Sequence, residues 1–262
     1  MRNYRNNEYL ALWTLLLAAF AVMTAFSMVG TVEVWGFELR SPGITERLTR
    51  EPDTATVVTE TSENQAIAKP TPIDSAAQRI LIIGDSMLEG LNPRLAAYAN
   101  ANGHTLNSVI WYSSTTDYWG KCDTLTTFIR RFRPTFIFIS LGANELFVNN
   151  IAERRKESVD HILKQIGDIP YLWIGPPNWK EDTGINRLIA SSVKPGCYFK
   201  SDGMSFDRKK DGAHPTAESA VEWMDSIARW MPLHSSHPIL LDFPGMIDKA
   251  RPASVTVLQP KK

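Results

Sequence analysis

Residues 80–90 read ILIIGDSMLEG, in which four apolar residues end at Gly84-Asp85-Ser86 and a helix-favouring stretch follows. A short apolar run that ends at a glycine is typical of a buried strand in a parallel sheet. Ligands of such sheets bind beyond the carboxyl ends of the strands, where Ser86 would lie. Ser86 would also begin the next helix, whose free N–H groups favour negative charge. The stretch therefore predicts a strand, turn and helix that present a serine for chemistry or, as the alternative, an ordinary helix-capping serine.

Four further apolar runs follow along the chain, separated by helix-like stretches: LNSVIWY, TFIFISLG, YLWIGP and the weaker CYFKS. Strands that alternate with helices predict βαβ units, and continuous apolar runs predict strands covered on both faces. We therefore predict a three-layer α/β/α sandwich with a five-stranded parallel sheet over residues 79–232. Residues 233–262 form a C-terminal tail in this interpretation.

The first part of the chain has a different composition. Residues 10–30 contain no charged residue, and a helix of about 20 apolar residues is long enough to cross the ~30 Å hydrocarbon core of a bilayer. Arginines precede this segment and glutamates follow it, so the positive-inside rule keeps residues 1–9 in the cytoplasm and exports the rest. We predict a single-pass transmembrane anchor; a cleaved signal peptide is the alternative.

Residues 31–78 are rich in Thr, Glu, Ser and Pro and lack sustained periodicity. Such a segment cannot bury enough apolar surface to order itself, so we predict a flexible extracytoplasmic linker.

The charge and the cysteines exclude several classes of function. The chain has 28 lysine and arginine residues against 28 aspartate and glutamate residues, so it lacks the basic field expected of a nucleic-acid partner. Cys122 and Cys197 form no metal-binding spacing with the five histidines. We expect no nucleic acid, no metal and no cofactor.

Two other strand ends carry polar side chains. Asn144 follows the third apolar run, where its amide could donate to an oxyanion or satisfy its own turn. Asp211 precedes His214 by three residues in DGAHP, which follows the fifth run. This spacing lets the carboxylate fix the imidazole and leaves the other ring nitrogen to take a proton, although His214 could instead cap the last helix. Together with Ser86, these residues fill the roles that acyl transfer needs.

The motifs GDSM, GANE and DGAHP, in this order across residues 79–232, resemble blocks I, III and V of the SGNH (GDSL-type) hydrolases, a family with a flavodoxin-like fold. The resemblance implies that Ser86 is the nucleophile, His214 the general base and Asp211 its orienting acid. It also implies that Asn144 and the backbone N–H of Ser86 donate to the oxyanion.

The block after the second strand departs from the family pattern. SGNH members usually carry a glycine there whose N–H completes the oxyanion hole, whereas residues 111–120 read WYSSTTDYWG. We assign this donor to the backbone N–H of Ser114, because a backbone donor needs no glycine unless φ is positive. Asp85, Asp117 and Trp119 are candidate substrate-binding residues; the last two could line a sugar-stacking wall or pack into the core.

These features predict a membrane-anchored, extracytoplasmic serine esterase that removes small acyl groups, above all acetyl, from envelope or extracellular carbohydrate. The carbohydrate follows from the predicted location and from family analogy. An O-acetyltransferase that works with a membrane acyltransferase partner would use the same acyl-enzyme. A lipid esterase and a non-catalytic envelope-binding module are lesser alternatives. In a two-membrane bacterium, residues 10–30 would lie in the lipid bilayer of the inner membrane and the domain in the periplasm.

Overall fold

The computed structural model describes residues 13–18, 31–34, 37–40, 71–245 and 250–259. The chain divides into two units, Met1–Gln65 and Ala66–Lys262. In the first unit, residues 13–18 are helical (α1), and Thr31–Val34 (β1) pairs antiparallel with Phe37–Arg40 (β2).

Helix α1 falls within the anchor predicted for residues 10–30, and the rest of that segment lies outside the described residues. Its leucine side chains are exposed. Within the described ranges, no helix combines the length and the apolar character needed to cross a bilayer.

The linker predicted for residues 31–78 is ordered at both ends. At its start, β1 and β2 satisfy one another's backbone groups in a ladder that spans Thr31↔Arg40 to Val34↔Phe37. At its end, Asp74 pairs with the C-terminal tail: the N–H of Asp74 donates to the carbonyl of Pro238 at 2.8 Å, and the N–H of Leu240 donates to the carbonyl of Asp74 at 3.0 Å. Composition misses both pairings because the partner of a backbone group is decided by tertiary contact.

The second unit alternates strands and helices. Its elements are β3 (Arg79–Gly84), α2 (Leu88–Ala101), β4 (Thr105–Trp111), α3 (Thr116–Gly120), α4 (Thr124–Phe132), β5 (Phe136–Ser140), a 3-10 turn (Ala143–Glu145), α5 (Ile151–Ile166), β6 (Tyr171–Ile174), α6 (Ile185–Ser192), β7 (Tyr198–Phe199), α7 (Ala217–His234) and β8 (Ser254–Leu258). All neighbouring strands of its sheet are parallel, in the order β7-β6-β5-β3-β4-β8. The unit is thus an α/β fold with helices flanking a parallel sheet.

The sheet has six strands, so the prediction of five is wrong by one. Strand β8 comes from the predicted tail 233–262 and pairs with β4 from Asn107↔Ser254 to Trp111↔Leu258. Without β8, the edge of β4 would present unpaired N–H and C=O groups. Val255 and Val257 are each 48% exposed, which is why the segment lacks the continuous apolar run of a buried strand.

Strand β3 lies inside the sheet and feeds a core on each face. Ile80 and Ile82 pack with residues of α2 and α7, whereas Leu81 and Ile83 pack with residues of α3, α4, α5 and α6. All four side chains are 0% exposed. Burial of each contributes about 2 kcal/mol. The loop after β3, which carries Ser86, therefore starts from a fully buried strand inside the sheet.

Candidate active site

The polar residues predicted at strand ends lie at the carboxyl edge of the sheet. Ser86 lies in the turn between β3 and α2, Asn144 in the 3-10 turn after β5, and His214 in the loop between β7 and α7. The turn after β3 begins at a position that only glycine fits, because a Cβ on Gly84 would overlap the carbonyl oxygen of Ser140. The backbone of β5 thus approaches β3 closely just before Ser86.

Ser86, His214 and Asp211 form a hydrogen-bonded series although 128 residues separate Ser86 from His214. The Oγ atom of Ser86 lies 2.8 Å from Nε2 of His214, and Nδ1 of His214 lies 2.9 Å from Oδ2 of Asp211. An ionised carboxylate only accepts hydrogen bonds, so Nδ1 carries the imidazole proton. Nε2 is then unprotonated and accepts the hydroxyl hydrogen of Ser86.

Asp211 is held in its ionised form by its own turn. The backbone N–H groups of His214 and Ala213 each donate to Oδ1 at 2.9 Å. The N–H of His214, then that of Ala213 and then the imidazole lower the pKa of Asp211 to about 2. Both side chains face solvent, with 28% of His214 and 49% of Asp211 exposed. The carboxylate is therefore a ready partner for an imidazolium over the whole neutral range.

The loop that carries His214 is held by hydrogen bonds within itself and by one to the segment after β6. The guanidinium of Arg208 donates to the carbonyl oxygens of Ala213 at 2.6 Å and Asn178 at 2.9 Å. The N–H of Lys209 donates to the carbonyl oxygen of His214 at 2.8 Å. Two of these bonds hold the loop onto itself, and the bond to Asn178 ties it to the segment after β6, so together they fix the backbone at His214.

Asn144 contacts Ser114, in the segment after β4 that was predicted to supply an oxyanion donor. Its Nδ2 donates to the carbonyl oxygen of Ser114 at 2.9 Å and lies 3.4 Å from Oδ2 of Asp85. The N–H of Ser114 donates to the carbonyl of Trp111 at 3.1 Å. The assignment of Ser114 as a donor is therefore wrong, because a turn already uses its amide.

The neighbouring residue Ser113 has an unusual backbone. Its φ of 55° lies in the left-handed region, which glycine adopts without strain. Among the described residues, the N–H groups of Ser113 and Ser86 have no hydrogen-bond acceptor. Sequence analysis missed this residue because serine carries no signal for positive φ.

Glu145 joins the turn of Asn144 to the start of α3. It is fully buried, and its carboxylate accepts from the N–H of Thr116 at 2.7 Å, the hydroxyl of Thr116 at 2.9 Å and Nε of Arg155 at 2.5 Å. Burial raises the pKa of Glu145, and the bonds from Thr116 and Arg155 oppose that rise. Asn144 and Glu145 thus bind Ser114 and Thr116, which directly follow Ser113.

Asp117 belongs to the same network and is not available to a substrate. Its carboxylate accepts from Lys121 and from Ser158, each at 2.7 Å, and lies 3.2 Å from Arg155. Burial favours the neutral acid, but the bonds from Lys121 and Ser158 and the charge of Arg155 outweigh it and lower the pKa of Asp117. The prediction of a substrate-binding role for Asp117 is wrong because its acceptor sites are used internally.

The other two predicted substrate-binding residues are buried. Trp119 is 0% exposed, and its Nε1 donates to the Oγ of Ser114 at 3.0 Å. Asp85 is 1% exposed, and its Oδ1 accepts from the N–H of Met87 at 2.9 Å. Neither side chain reaches solvent, so both predictions are wrong: Trp119 packs in the core, and Asp85 supports the turn of Ser86.

Two cavities lie near the ends of the sheet strands. A cavity of about 530 Å³ borders the site between the first turns of α2 and α7. A smaller one, of about 190 Å³, lies at the opposite edge of the sheet, between residues 71–78 and the tail. In the described part of the chain, no cluster of three or more His, Cys, Asp or Glu side chains could hold a metal ion.

No protein-family model matches the chain, and no curated protein matches its sequence. Among solved structures, the chain is similar to the crystal structure of a psychrotrophic esterase, EstA, from a Pseudoalteromonas species, inhibited by monoethylphosphonate. The identity is 18% and the TM-score 0.42, over 58% of this chain and 97% of the other. We therefore base the function on the geometry of the site.

Proposed function

We propose that this protein is a serine ester hydrolase whose nucleophile is Ser86. The observation that carries the proposal is the series Asp211, His214 and Ser86, with hydrogen-bond distances of 2.9 and 2.8 Å. A serine is a weak nucleophile until a base takes its proton, and a base works best when a third group fixes its tautomer. The three residues meet both requirements.

The proposed reaction has two halves. In the first, the Oγ of Ser86 attacks the ester carbonyl carbon while its proton passes to Nε2 of His214. The tetrahedral intermediate then breaks its bond to the alcohol oxygen, which takes the proton from His214. In the second half, His214 takes a proton from water, the resulting hydroxide attacks the acyl-enzyme, and Ser86 recovers its proton as the acid leaves.

The negative oxygen of the intermediate needs donors that are already in place. We assign this role to the N–H of Ser86, Nδ2 of Asn144 and, in place of Ser114, the N–H of Ser113. The N–H groups of Ser86 and Ser113 lack an acceptor among the described residues. One hydrogen of Nδ2 of Asn144 is held by the carbonyl of Ser114, and the other would leave its 3.4 Å contact with Oδ2 of Asp85 for the oxyanion. Loss of one such donor typically lowers kcat by ~10²–10³-fold.

The exposure of the site favours water over a sugar hydroxyl as the acceptor of the acyl group. With 28% of His214 and 49% of Asp211 exposed, solvent reaches the base directly. An acyltransferase must protect its acyl-enzyme from water, and a water-excluding active site is the usual device. We therefore propose hydrolysis, with transfer as the rival that the product analysis below tests.

The finer parts of the proposal rest on the sequence. An acetyl group on envelope or extracellular carbohydrate is supported by the predicted export and by the resemblance to SGNH hydrolases. The anchor is supported by the uncharged residues 10–30 and the arginines before them. Resistance of the full chain to alkaline carbonate extraction from membranes would support the anchor, and release into the supernatant would contradict it.

The test is hydrolysis of p-nitrophenyl acetate by the full chain, beside Ser86→Ala and His214→Ala. Each variant is expected to lose at least ~10³-fold in kcat, as removal of members of such triads does. His234→Ala is the matched control, because this exposed histidine lies at the far end of α7 and should leave turnover unchanged. Turnover that survives in Ser86→Ala would overturn the proposal.

A second measurement does not depend on choosing the right ester. An alkyl fluorophosphonate phosphonylates an activated serine and releases hydrogen fluoride, so the peptide that contains Ser86 should gain the mass of the reagent less that of hydrogen fluoride. Labelling should disappear in His214→Ala. Product analysis with an acetylated sugar and a free sugar acceptor then separates hydrolysis, which releases acetate, from transfer. A chain that neither hydrolyses nor labels would instead be a binding module.

A further inference from the structure

The cavity of about 530 Å³ between α2 and α7 is lined by residues that adjoin the proposed nucleophile and base along the chain. We call it the α2–α7 groove and define it by Glu89, Pro93, Lys209, Pro215, Val221 and Glu222. Glu89 lies one helical turn after Ser86, and Pro215 directly follows His214. A volume of this size is typical of a pocket for a small organic molecule.

The proposed reaction decides which part of an ester the groove receives. His214 must deliver its proton to the departing alcohol oxygen, so the alcohol lies on the imidazole side of the scissile bond. The carbonyl oxygen lies on the other side, toward Asn144. Pro215, the residue after His214, lines the groove, as does Lys209, whose N–H donates to the carbonyl oxygen of His214. The groove therefore lies on the imidazole side, and we assign it to the alcohol part of the substrate. This step rests on the proposed function.

The walls of the groove carry more negative than positive charge. Glu89, Glu218 and Glu222 supply three carboxylates, whereas Lys209 supplies one ammonium group. The guanidinium of Arg94 also borders the groove, but it is paired with Asp225 through Nε at 2.6 Å and Nη2 at 3.0 Å. Salt screens exposed charges fully only beyond a Debye length of ~10 Å, so these carboxylates still act on a charged group bound inside the groove. The groove therefore attracts cations and repels anions.

Its remaining surface is apolar and held in place. Pro93, Pro215 and Val221 offer carbon surface, with Val221 37% exposed. The hydroxyl of Tyr112 donates to Oε1 of Glu89, which fixes that carboxylate beside the segment of Ser113. Apolar surface beside fixed carboxylates suits an ammonium group, whose substituents are carbon and whose charge is positive.

We propose that the α2–α7 groove binds the alcohol part of the ester and selects an alcohol that carries a positively charged amino or quaternary ammonium group. Glu218 and Glu222 lie one turn apart on α7 and supply the excess negative charge, because the single charge of Lys209 balances that of the third carboxylate, Glu89.

The test compares two acetate esters of the same shape: acetylcholine, which is cationic, and 3,3-dimethylbutyl acetate, its uncharged carbon isostere. The full chain should show a kcat/KM about five- to tenfold higher for the cationic ester, falling toward equality as salt rises. The double variant Glu218→Gln, Glu222→Gln should bring the ratio close to one. Lys209→Gln should raise it, which a loss of folding could not do.

The control is Glu157→Gln, an exposed carboxylate on α5, which packs on the opposite face of the sheet. Its ratio should equal that of the unchanged chain. An unchanged ratio in the double variant, or turnover of p-nitrophenyl acetate without preference for the cationic ester, overturns the groove assignment while the ester hydrolase stands. A chain inert toward all three esters and toward the fluorophosphonate overturns both.

Discussion

Replacement of Asp85 by asparagine removes a carboxyl group that the fold buries beside the proposed nucleophile. Asp85 is 1% exposed, and burial, together with the nearby charge of Glu145, raises its pKa to about 7 despite the N–H of Met87. Asp85→Asn keeps an oxygen to accept from Met87 and is uncharged at every pH. Its amide would face Nδ2 of Asn144, so the informative quantity is the pH dependence of stability rather than its absolute value.

The sign follows from the protons bound in each state. Between pH ~4 and ~7, the folded protein keeps a proton on Asp85 that the unfolded chain has lost. The free energy of unfolding therefore falls as pH rises through this window and levels off above it. Moving the pKa from 3.8 to about 7 corresponds to about 4 kcal/mol at 1.36 kcal/mol per pKa unit. Because asparagine does not titrate, the free energy of unfolding of Asp85→Asn should not show this fall with pH.

The assay is urea unfolding of the full chain and of Asp85→Asn between pH 4 and 8. The stability difference between them should move by about 4 kcal/mol in favour of the variant as pH rises. Asp168→Asn, which changes an exposed carboxylate, should run parallel to the unchanged chain. Parallel curves for the unchanged chain and Asp85→Asn would refute the reasoning, because they would mean that this carboxyl group is ionised in the folded protein.

Three further changes test the packing around the site. Ser113→Gly should keep turnover, because the backbone N–H remains. It should leave the free energy of unfolding unchanged or raise it by up to about 1 kcal/mol, because glycine adopts the φ of 55° without strain. A tenfold loss of kcat would show that the hydroxyl of Ser113 is used instead. Gly120→Ala should lower stability by about 1–3 kcal/mol in urea unfolding, because its Cβ would lie 2.5 Å from the Cα of Ser158; an unchanged midpoint would contradict the close packing of α3 on α5. Arg94→Ala should lower the free energy of unfolding by about 3 kcal/mol in the same assay, because it leaves the largely buried carboxylate of Asp225 without its cation. A loss below about 1 kcal/mol would mean that solvent reaches that carboxylate.

The sequence predicted the part of the site that depends on local geometry. Asp211 and His214 are three residues apart, so a single turn suffices to join carboxylate and imidazole. The apolar runs and the helices between them predicted the parallel sheet, because burial on both faces leaves a continuous pattern in each strand. In such a sheet, Ser86, Asn144 and His214 all follow strand ends, so their meeting at one edge also follows from the pattern.

Only the tertiary structure showed which polar and aromatic side chains are already bonded or enclosed by residues distant in the sequence. Asp117 and Trp119 looked available to a substrate, yet Asp117 accepts from Ser158, 41 residues away, and Trp119 is enclosed by the core. Ser113 adopts a positive φ that no serine motif predicts. The anchor at residues 10–30 stays a prediction.

The sixth strand shows the same limit most clearly. Ser254 bonds to Asn107 across 147 residues, and the half-exposed β8 carries no pattern that would identify its partner. The periodicity of apolar residues along a chain shows which faces of its strands and helices are buried, because each buried position favours an apolar residue. It does not record which distant segment covers a face or pairs with an edge, because that depends on the free energy of the whole packed chain.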